Sequence, residues 1–491
     1  MPYLIPFLII VLVLFVAVIL FRTFTFGDAQ QKFEPLQVFA PNPDRVAERL
    51  SKVIQCQTIA FDETTPVEPQ KLKELRSVLE KNFPHLHKTC EKQLINDGSL
   101  LFTWKGKNEA LDPILFAGHQ DVVPVDGQDL TKWTHAPFDG TIADGYLWGR
   151  GALDMKNQVV AVLESVERLI ESGFQPNRTV YLALGHDEEI GGTRGAAKIV
   201  EWLKHNNIRL EAVIDEGGMI ISGLLPGIDT PFATVGIAEK GMATINLQLE
   251  MAPGHSSAPP HHTAIGIMAQ AITKLENHPM PAEPEIMLPL MRAVGKSLPF
   301  VLRMAFANLW LFKGLVINTL RKNPQGDAAI RTTTAVTLIK GGIKDNILPP
   351  NANATVNFRI KPGECLADIL QHIRDTIQDE RIQLVPNEDI LWDASPVSDT
   401  ESTPYAVLKE TIQKVFDNVP VASQIFPAAT DSRYYYAVCK NVYRFMPLHI
   451  SKDAMKGIHG IDERISVEAL EKMVQFFGAL IQAYDGMRNK S

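Results

Sequence analysis

Apolar positions along the chain fall into three textures, and each predicts a different kind of element. Residues 4–21 are apolar except for Pro6 near the start, and Arg22 closes the run. That length suits a helix that crosses a membrane, and a run with no polar face fits poorly in a soluble core. No charged leader, short apolar core or small-x-small cleavage site is clear, so an uncleaved single-pass anchor over residues 1–22 is expected in place of a signal peptide. Flanking charge is too sparse to orient it, which leaves open the side that the rest of the chain faces. Residues 23–43 are polar and contain proline, as a tether would.

Beyond the tether, helices and strands alternate. Apolar spacing predicts helices at 46–54, 71–79 and 196–204, strands at 100–104, 114–117 and 179–184, and a short strand at 212–214. After Asp154, Val159, Val162, Leu163, Val166, Leu169 and Ile170 recur three and four apart, which predicts a helix with one buried stripe. Gly173 and Pro176 stop it. Such a succession predicts an α/β fold with a mostly parallel sheet and helices on both faces.

A third texture begins near Lys240. Strands at 243–249, 334–339 and 354–360 with helices at 264–275 and 366–377 predict a small α+β unit inserted into the first domain. Within it, residues 281–320 are rich in Met, Leu and Phe and are broken by Pro289 and Pro299. Residues 300–320 read as one apolar helix carrying only Arg303 and Lys313, covering a pocket or touching a bilayer surface in preference to spanning it. Residues 406–416, 421–425 and 467–484 return to the first texture. The expected organisation is an anchor (1–22), a tether (23–43), a catalytic segment (44–239), an inserted segment (240–390) and a second catalytic segment (391–491).

Composition narrows the classes. At 491 residues the chain exceeds one ordinary core. An apolar share of 45% excludes a wholly disordered or fibrous chain. The formal charge of -8 argues against a nucleic-acid partner, since such proteins usually carry a basic excess. Cys56, Cys90, Cys365 and Cys439 are far apart and form no CxxC pair, so neither a thiolate zinc knuckle nor a dense disulfide framework is indicated.

The chemistry lies where apolar strands end. Residues 114–117 run into Gly118-His119-Gln120-Asp121, residues 179–184 run into Gly185-His186-Asp187-Glu188-Glu189, and Asp154 precedes a helix. In open α/β sheets ligands gather at the carboxyl ends of strands, so these groups can converge. His119 alone could be an ordinary core histidine, yet Asp121 two residues on could fix its tautomer as partners of metal-bound imidazoles do. Asp154 alone could be a helix cap, but its two oxygens could also bridge two cations. Glu188 and Glu189 could form a solvated acidic loop, or divide the work, one coordinating and the other taking a proton from water.

In order and spacing these pieces resemble the M20 family of metallopeptidases, within it the carboxypeptidase S, aminoacylase and N-acyl amino acid hydrolase branch. The matching stretches are Gly118-His119-Gln120-Asp121-Val122-Val123-Pro124, Gly149-Arg150-Gly151-Ala152-Leu153-Asp154-Met155-Lys156, Asp187-Glu188-Glu189-Ile190-Gly191-Gly192, Asp215-Glu216-Gly217-Gly218 and Ile458-His459-Gly460-Ile461-Asp462-Glu463. Each is weak alone; five in sequence are specific, and they cover nearly the whole chain beyond the tether. The resemblance implies a zinc-peptidase-like α/β catalytic domain with an inserted ferredoxin-like lid or dimerisation domain, and two zinc ions per subunit, with cobalt or manganese as substitutes. It makes His119 a ligand of one ion, Asp154 the bridge, and Glu189 and His459 ligands of the other. Asp215 or Glu216 completes the first ion; neighbours on a strand end point to opposite sides, and Asp215 is favoured.

By the same resemblance Asp121 orients His119, Glu188 is the general base, and His255 reaches the developing oxyanion, often in the site of a partner subunit, which implies a homodimer through the inserted domain. Arg433 and Asn346 match segments that grip a substrate carboxylate. The implied substrate is therefore a peptide or N-acyl amino acid with a free carboxyl. The greasy stretch at 300–320 favours an apolar acyl group. An aminopeptidase or dipeptidase of the same fold would leave Arg433 without a purpose. A non-catalytic metal-bearing membrane receptor would be expected to have lost Glu188 or a ligand, and this chain retains them all.

Overall fold

The computed structural model describes residues 3–29, 31–223, 228, 230–451 and 453–487. The first two residues of the expected anchor and the last four of the second catalytic segment lie outside them, as do residues 30, 224–227, 229 and 452.

Eight strands form one large sheet: β1 (Glu91–Ile95), β2 (Ser99–Trp104), β3 (Ile114–His119), β4 (Val180–Gly185), β5 (Ala212–Ser222) and β6 (Phe232–Glu239), joined by two from the far end of the chain, Val421–Phe426 and Val442–Ser451. Their order is β1-β2-β4-β3-β5, then Val442–Ser451, β6 and Val421–Phe426. The expectation of a mostly parallel sheet needs correction, because the sheet is mixed. Its centre is parallel, but β1 and β2 form a hairpin through Asn96 and Asp97, both at positive φ, and β6 runs antiparallel to β5. β2, β3 and β4 are buried at every residue, as expected of strands covered on both faces.

On one face lie helices α1 (Pro43–Ile54), α2 (Lys156–Glu171), α3 (Thr403–Val415) and α4 (Val467–Asp485), whose apolar residues form the largest core. The helix Ala196–His205 covers the other face. The single buried stripe expected after Asp154 also needs correction. α2 is buried from Lys156 to Leu169 all round, because α1 and α4 pack against it and β3 lies beneath it. Several of its polar residues are held from within: Glu164 and Glu471 hold the Arg168 guanidinium, and Ser165 donates to Val474 O at 2.9 Å.

A second, four-stranded antiparallel sheet is built from β7 (Gly241–Glu250), β8 (Thr333–Gly341), β9 (Asn351–Ile360) and β10 (Ile382–Trp392), in the order β8-β9-β7-β10. Helices Ala264–Asn277 and Leu366–Ile377 cover one of its faces and close a separate core. The apolar stretch expected as one helix over 300–320 is two, Phe300–Ala307 and Leu309–Leu320, parted at Asn308.

The N-terminal apolar run forms a helix, Leu4–Thr25, with Thr23 its one buried residue. The chain after it does not hang free. Phe33 N donates to Asn418 Oδ1 (2.7 Å), Leu36 N to Lys414 O (3.0 Å), and Val38 N and Phe39 N to Gln475 Oε1 (3.0 Å each). The Phe39 ring enters the main core where Gly478 leaves room: a Cβ there would lie 2.4 Å from it. The expected tether is therefore a strap fastened to α3 and α4.

Candidate metal centre

Five segments bring their carboxylates and imidazoles together at the parallel centre of the large sheet. His119 is the last residue of β3, Asp154 stands two residues before α2, Glu188 and Glu189 form the turn after β4, Glu216 lies in β5, and His459 follows Val442–Ser451. Two groups of three donors result: His119, Asp154 and Glu216; and Asp154, Glu189 and His459. In each the ligand-type atoms lie within 4.8 Å of one another. Asp154 belongs to both. Its Oδ1 is 3.2 Å from His119 Nε2, and its Oδ2 is 3.1 Å from His459 Nε2.

Asp121 organises three of these groups at once. His119 Nδ1 lies 3.0 Å from Asp121 O and 3.4 Å from its Oδ1, so Nε2 is left facing the cluster. The same carboxylate accepts the backbone N–H groups of Glu188 (3.2 Å) and Glu189 (3.0 Å). Gln120 ties the ends of β3 and β4 together by donating to Leu184 O and Gly185 O.

Asp215, the ligand favoured from sequence, lies outside both three-donor groups. The first group contains Glu216, whose Oε1 lies 3.5 Å from His119 Nε2. Asp215 instead accepts from Thr430 Oγ1 (3.3 Å), beside the buried ion pair of Glu239 with Arg444 (2.6 Å). The cause is a bulge. Arg444 pairs with Asp215, but the next residue, Phe445, pairs with Gly218, so Glu216 and Gly217 leave the ladder and Glu216 is re-aimed. Gly217 permits this at φ +136, where a Cβ would stand 2.9 Å from that of Arg444.

Burial and mutual charge shift the cluster strongly. Burial alone would lower His119, yet Glu216, Asp121 and Asp154 hold it well above the ordinary histidine value. The carboxylates of Asp154 and then Glu189 beside its ring raise His459 to about 10. Burial, then the charge of Asp154, pushes Glu216 up to about 8, and burial pushes Glu188 well above the usual carboxylate range. Burial opposes ionisation of Asp154, but hydrogen bonds from His119 and His459 keep it below the ordinary aspartate value.

These donors fit divalent cations. All are imidazole nitrogen or carboxylate oxygen, a set that suits zinc, cobalt or manganese. Glu189 Oε1 is buried, receives no hydrogen bond among the described residues and lies 3.4 Å from His459 Nε2, so one lone-pair site faces the cluster unused. A further group, His85, Glu167 and Glu171, differs in kind. Glu167 accepts the backbone N–H groups of His85 and Leu86, and both oxygens of Glu171 are held by Arg45.

His255, Asn346 and Arg433 join neither three-donor group. His255 lies on a two-residue strand, Gly254–His255, paired with Ile347–Leu348; it is exposed, and its Nδ1 meets Ser257 Oγ at 2.8 Å. Asn346 adjoins it, its backbone carbonyl accepting from Ser256 N at 3.2 Å. Arg433 stacks on Trp392 of β10 (4.5 Å) and on Tyr434 (4.9 Å), while Nη2 donates to Gly191 O at 2.6 Å.

Two residues escaped assignment from sequence. Glu463 is buried and its Oε1 accepts three backbone N–H groups, those of Gly151 (3.1 Å), Leu153 (2.7 Å) and Asp154 (3.2 Å), while Oε2 meets Arg150 Nη1 at 2.5 Å. It fixes the loop that carries Asp154. Asp431 fills space that Gly185 and Gly192 leave open, since a Cβ at Gly192 would lie 2.0 Å from Asp431 Oδ1. Only their place within matching stretches hinted at either.

Known proteins carry the same pattern. The profile described as peptidase family M20/M25/M40 matches residues 115–483. A probable carboxypeptidase S-like 2 from Dictyostelium discoideum is 40% identical over 477 residues, covering 94% of this chain and 90% of that protein. The N-fatty-acyl-amino acid synthase/hydrolase PM20D1 of Xenopus tropicalis is 39% identical, covering 96% and 93%. Among solved structures, an M20 family metallo-carboxypeptidase, Sso-CP2 from Sulfolobus solfataricus, superposes with a TM-score of 0.64 over 90% of this chain and 98% of that one; at 18% identity it supports the fold alone.

Proposed function

The chain belongs to peptidase family M20/M25/M40, and from that premise we propose that it is a membrane-anchored, two-metal amidohydrolase that releases an amino acid with a free carboxylate from an acyl partner. One observation carries this reading: Asp154 turns its two oxygens toward two different imidazoles, each within a three-donor group. His119, Asp154 and Glu216 would hold one ion, and Asp154, Glu189 and His459 the other. Two bound zinc ions would acidify a water and polarise the amide carbonyl.

The chain's own groups do the rest. Glu188 takes a proton from the attacking water as its oxygen bonds to the amide carbon, then delivers that proton to the leaving nitrogen as the C–N bond breaks. Its burial beside the cluster, with Oε2 4.0 Å from His119 Nε2, suits a carboxyl that must both accept and return a proton. Asp121 fixes the tautomer of His119 and the backbone of Glu188 together. Arg433, held at Nη2 and stacked on two aromatic rings, offers Nε and Nη1 to the substrate carboxylate.

His255 is exposed, with Asn346 beside it, and neither joins a three-donor group of its own subunit, so we assign them to the cleft of a second copy. The free edge of β8, with exposed Leu338 and Ile339, is a surface through which the inserted segment 240–390 would pair. The helix Leu4–Thr25 is the proposed anchor; it is long and apolar enough to cross a membrane.

For substrate, the apolar helices between residues 300 and 320 favour an N-fatty-acyl amino acid over a short peptide. Turnover of N-oleoyl-phenylalanine should exceed that of blocked dipeptides, and Glu188→Gln should abolish it while both metals stay bound. Preference for short dipeptides would reject the acyl reading, and an unaltered rate in the variant would reject Glu188 as base.

A further inference from the structure

The helical pair Phe300–Ala307 and Leu309–Leu320 is fastened to the N-terminal helix at a definite height. Arg22 Nε donates to Ala307 O (3.0 Å), and Asn308 Nδ2 donates to Ile19 O (3.3 Å) and Thr23 Oγ1 (3.2 Å). Phe15 meets Trp310 edge to face at 5.7 Å, and Phe24 meets Phe300 at 6.0 Å. At the helical rise, Phe15 lies about 15 Å along the helix from Thr25, about half the hydrocarbon thickness of a bilayer. If the N-terminal helix spans the bilayer, Trp310 must enter the leaflet beside it.

We propose that this helical pair is a membrane-embedded hairpin, seated in one leaflet on a surface of anionic lipids; the proposal rests on reading Leu4–Thr25 as a bilayer-spanning anchor. Three features support the bilayer as occupant. The outward residues Phe300, Val301, Trp310, Leu311 and Leu315 are exposed and apolar, and they continue the bare surface of the N-terminal helix. The polar corner is satisfied from within, as lipid demands: the Asn308 amide finds three acceptors and the Trp310 indole N–H donates to Asn308 Oδ1. Charge agrees as well. From residue 286 to 326 the chain carries Arg292, Lys296, Arg303, Lys313, Arg321 and Lys322 and no Asp or Glu, although its net charge is -8. Lys313 pairs with Glu285 (2.8 Å) and Arg321 lies 3.8 Å from Asp327, just outside that stretch, so Arg292, Lys296, Arg303 and Lys322 are the cations assigned to the headgroups. The strap at residues 33–39 then holds the catalytic body close to that surface.

The test uses the full chain in phosphatidylcholine vesicles brominated along the acyl chains, with or without phosphatidylserine. Bromine should quench a component of tryptophan emission that is missing in Trp310→Phe, and phosphatidylserine should enlarge it. A Val301→Glu, Leu315→Glu double variant should lose that component while its melting temperature in detergent is kept. Equal quenching of wild type and Trp310→Phe, in a chain that resists carbonate extraction, would overturn the hairpin and leave the anchor standing. Release by carbonate would overturn the anchor reading itself, and the hairpin with it. Shielding of Trp310 from both bromine and aqueous acrylamide would mean that a second copy covers the face, and would also overturn the bilayer proposal.

Discussion

Replacing Glu463 by Gln should damage a metal centre that Glu463 itself does not enter. Its ionised carboxylate faces four donors, three backbone N–H groups on one oxygen and Arg150 on the other. Glutamine has nearly the same shape but one acceptor oxygen. If that oxygen serves the amides, the NH2 group abuts the buried Arg150 guanidinium, and stranding such a charge costs roughly 3–5 kcal/mol. If it serves Arg150, three buried amides lose their acceptor, at about 1–3 kcal/mol for each left unpaired. Either way about 3 kcal/mol or more is lost, and the Asp154 backbone is freed from one of its holds. Metal affinity should fall about 10–100-fold, as when other residues that orient ligands are removed. Competition with a chelator measures the affinity, and a thermal scan of the metal-free chain measures the stability. Burial pushes the Glu463 carboxyl upward against the pull of Arg150, so a neutral Glu463 is the physical alternative. Unchanged affinity and melting in Glu463→Gln would establish that alternative and refute this reasoning.

Glu216→Gln should lower bound metal from two ions per chain toward one, whereas Asp215→Asn should retain both; elemental analysis of the purified proteins decides, and the reverse pattern would reject the bulge argument. In the metal-free chain Glu216 near 8 and His459 near 10 are both raised above their unfolded values, so their contributions to stability are full below about 4.3 and 6.5 respectively and vanish as pH rises through 8 and 10. Metal must displace those protons, so these two groups make apparent affinity climb about two decades per pH unit between 6.5 and 8 and about one between 8 and 10; a flat profile by chelator competition would contradict this. Phe39→Ala should destabilise the chain by about 3 kcal/mol, the cost of emptying a core site, read as a lower melting temperature, whereas a free tether would show no change. Arg433→Lys should raise KM for carboxylate substrates about tenfold with kcat nearly unchanged, because a point charge replaces a fork.

What the sequence made legible follows from how far each signal reaches along the chain. His119, Asp154, Glu188 and Glu189 stand beside strand or helix boundaries that local apolar spacing predicts, so their convergence was foreseeable. Helices 366–377 and 467–484 are likewise strongly periodic and appear nearly as expected. Strands β1, β6 and β10 and Val442–Ser451 escaped, because β1 is an exposed edge and the others depend on partners far away in sequence for their burial. The strap escaped for a related reason, since its polar composition hides one aromatic anchor whose pocket is made by a glycine more than 400 residues later.

The choice between Asp215 and Glu216 shows the limit most sharply. Simple alternation says that one of two neighbours faces the site, but which one depends on the pairing of β5 with Val442–Ser451, where two residues leave the ladder. Gly217 advertises that departure, for a glycine followed by another inside an apolar strand marks a bulge more often than an uninterrupted ladder. The bulge places the two acids in different networks. Glu216 joins the metal-type group, while Asp215 joins Thr430, Glu239 and Arg444, which hold the segment leading to Arg433. One strand irregularity thus joins the proposed metal ligands to the proposed carboxylate grip. A substitution that filled Gly217 would be expected to disturb metal content and KM together, whereas Arg433→Lys should disturb KM alone.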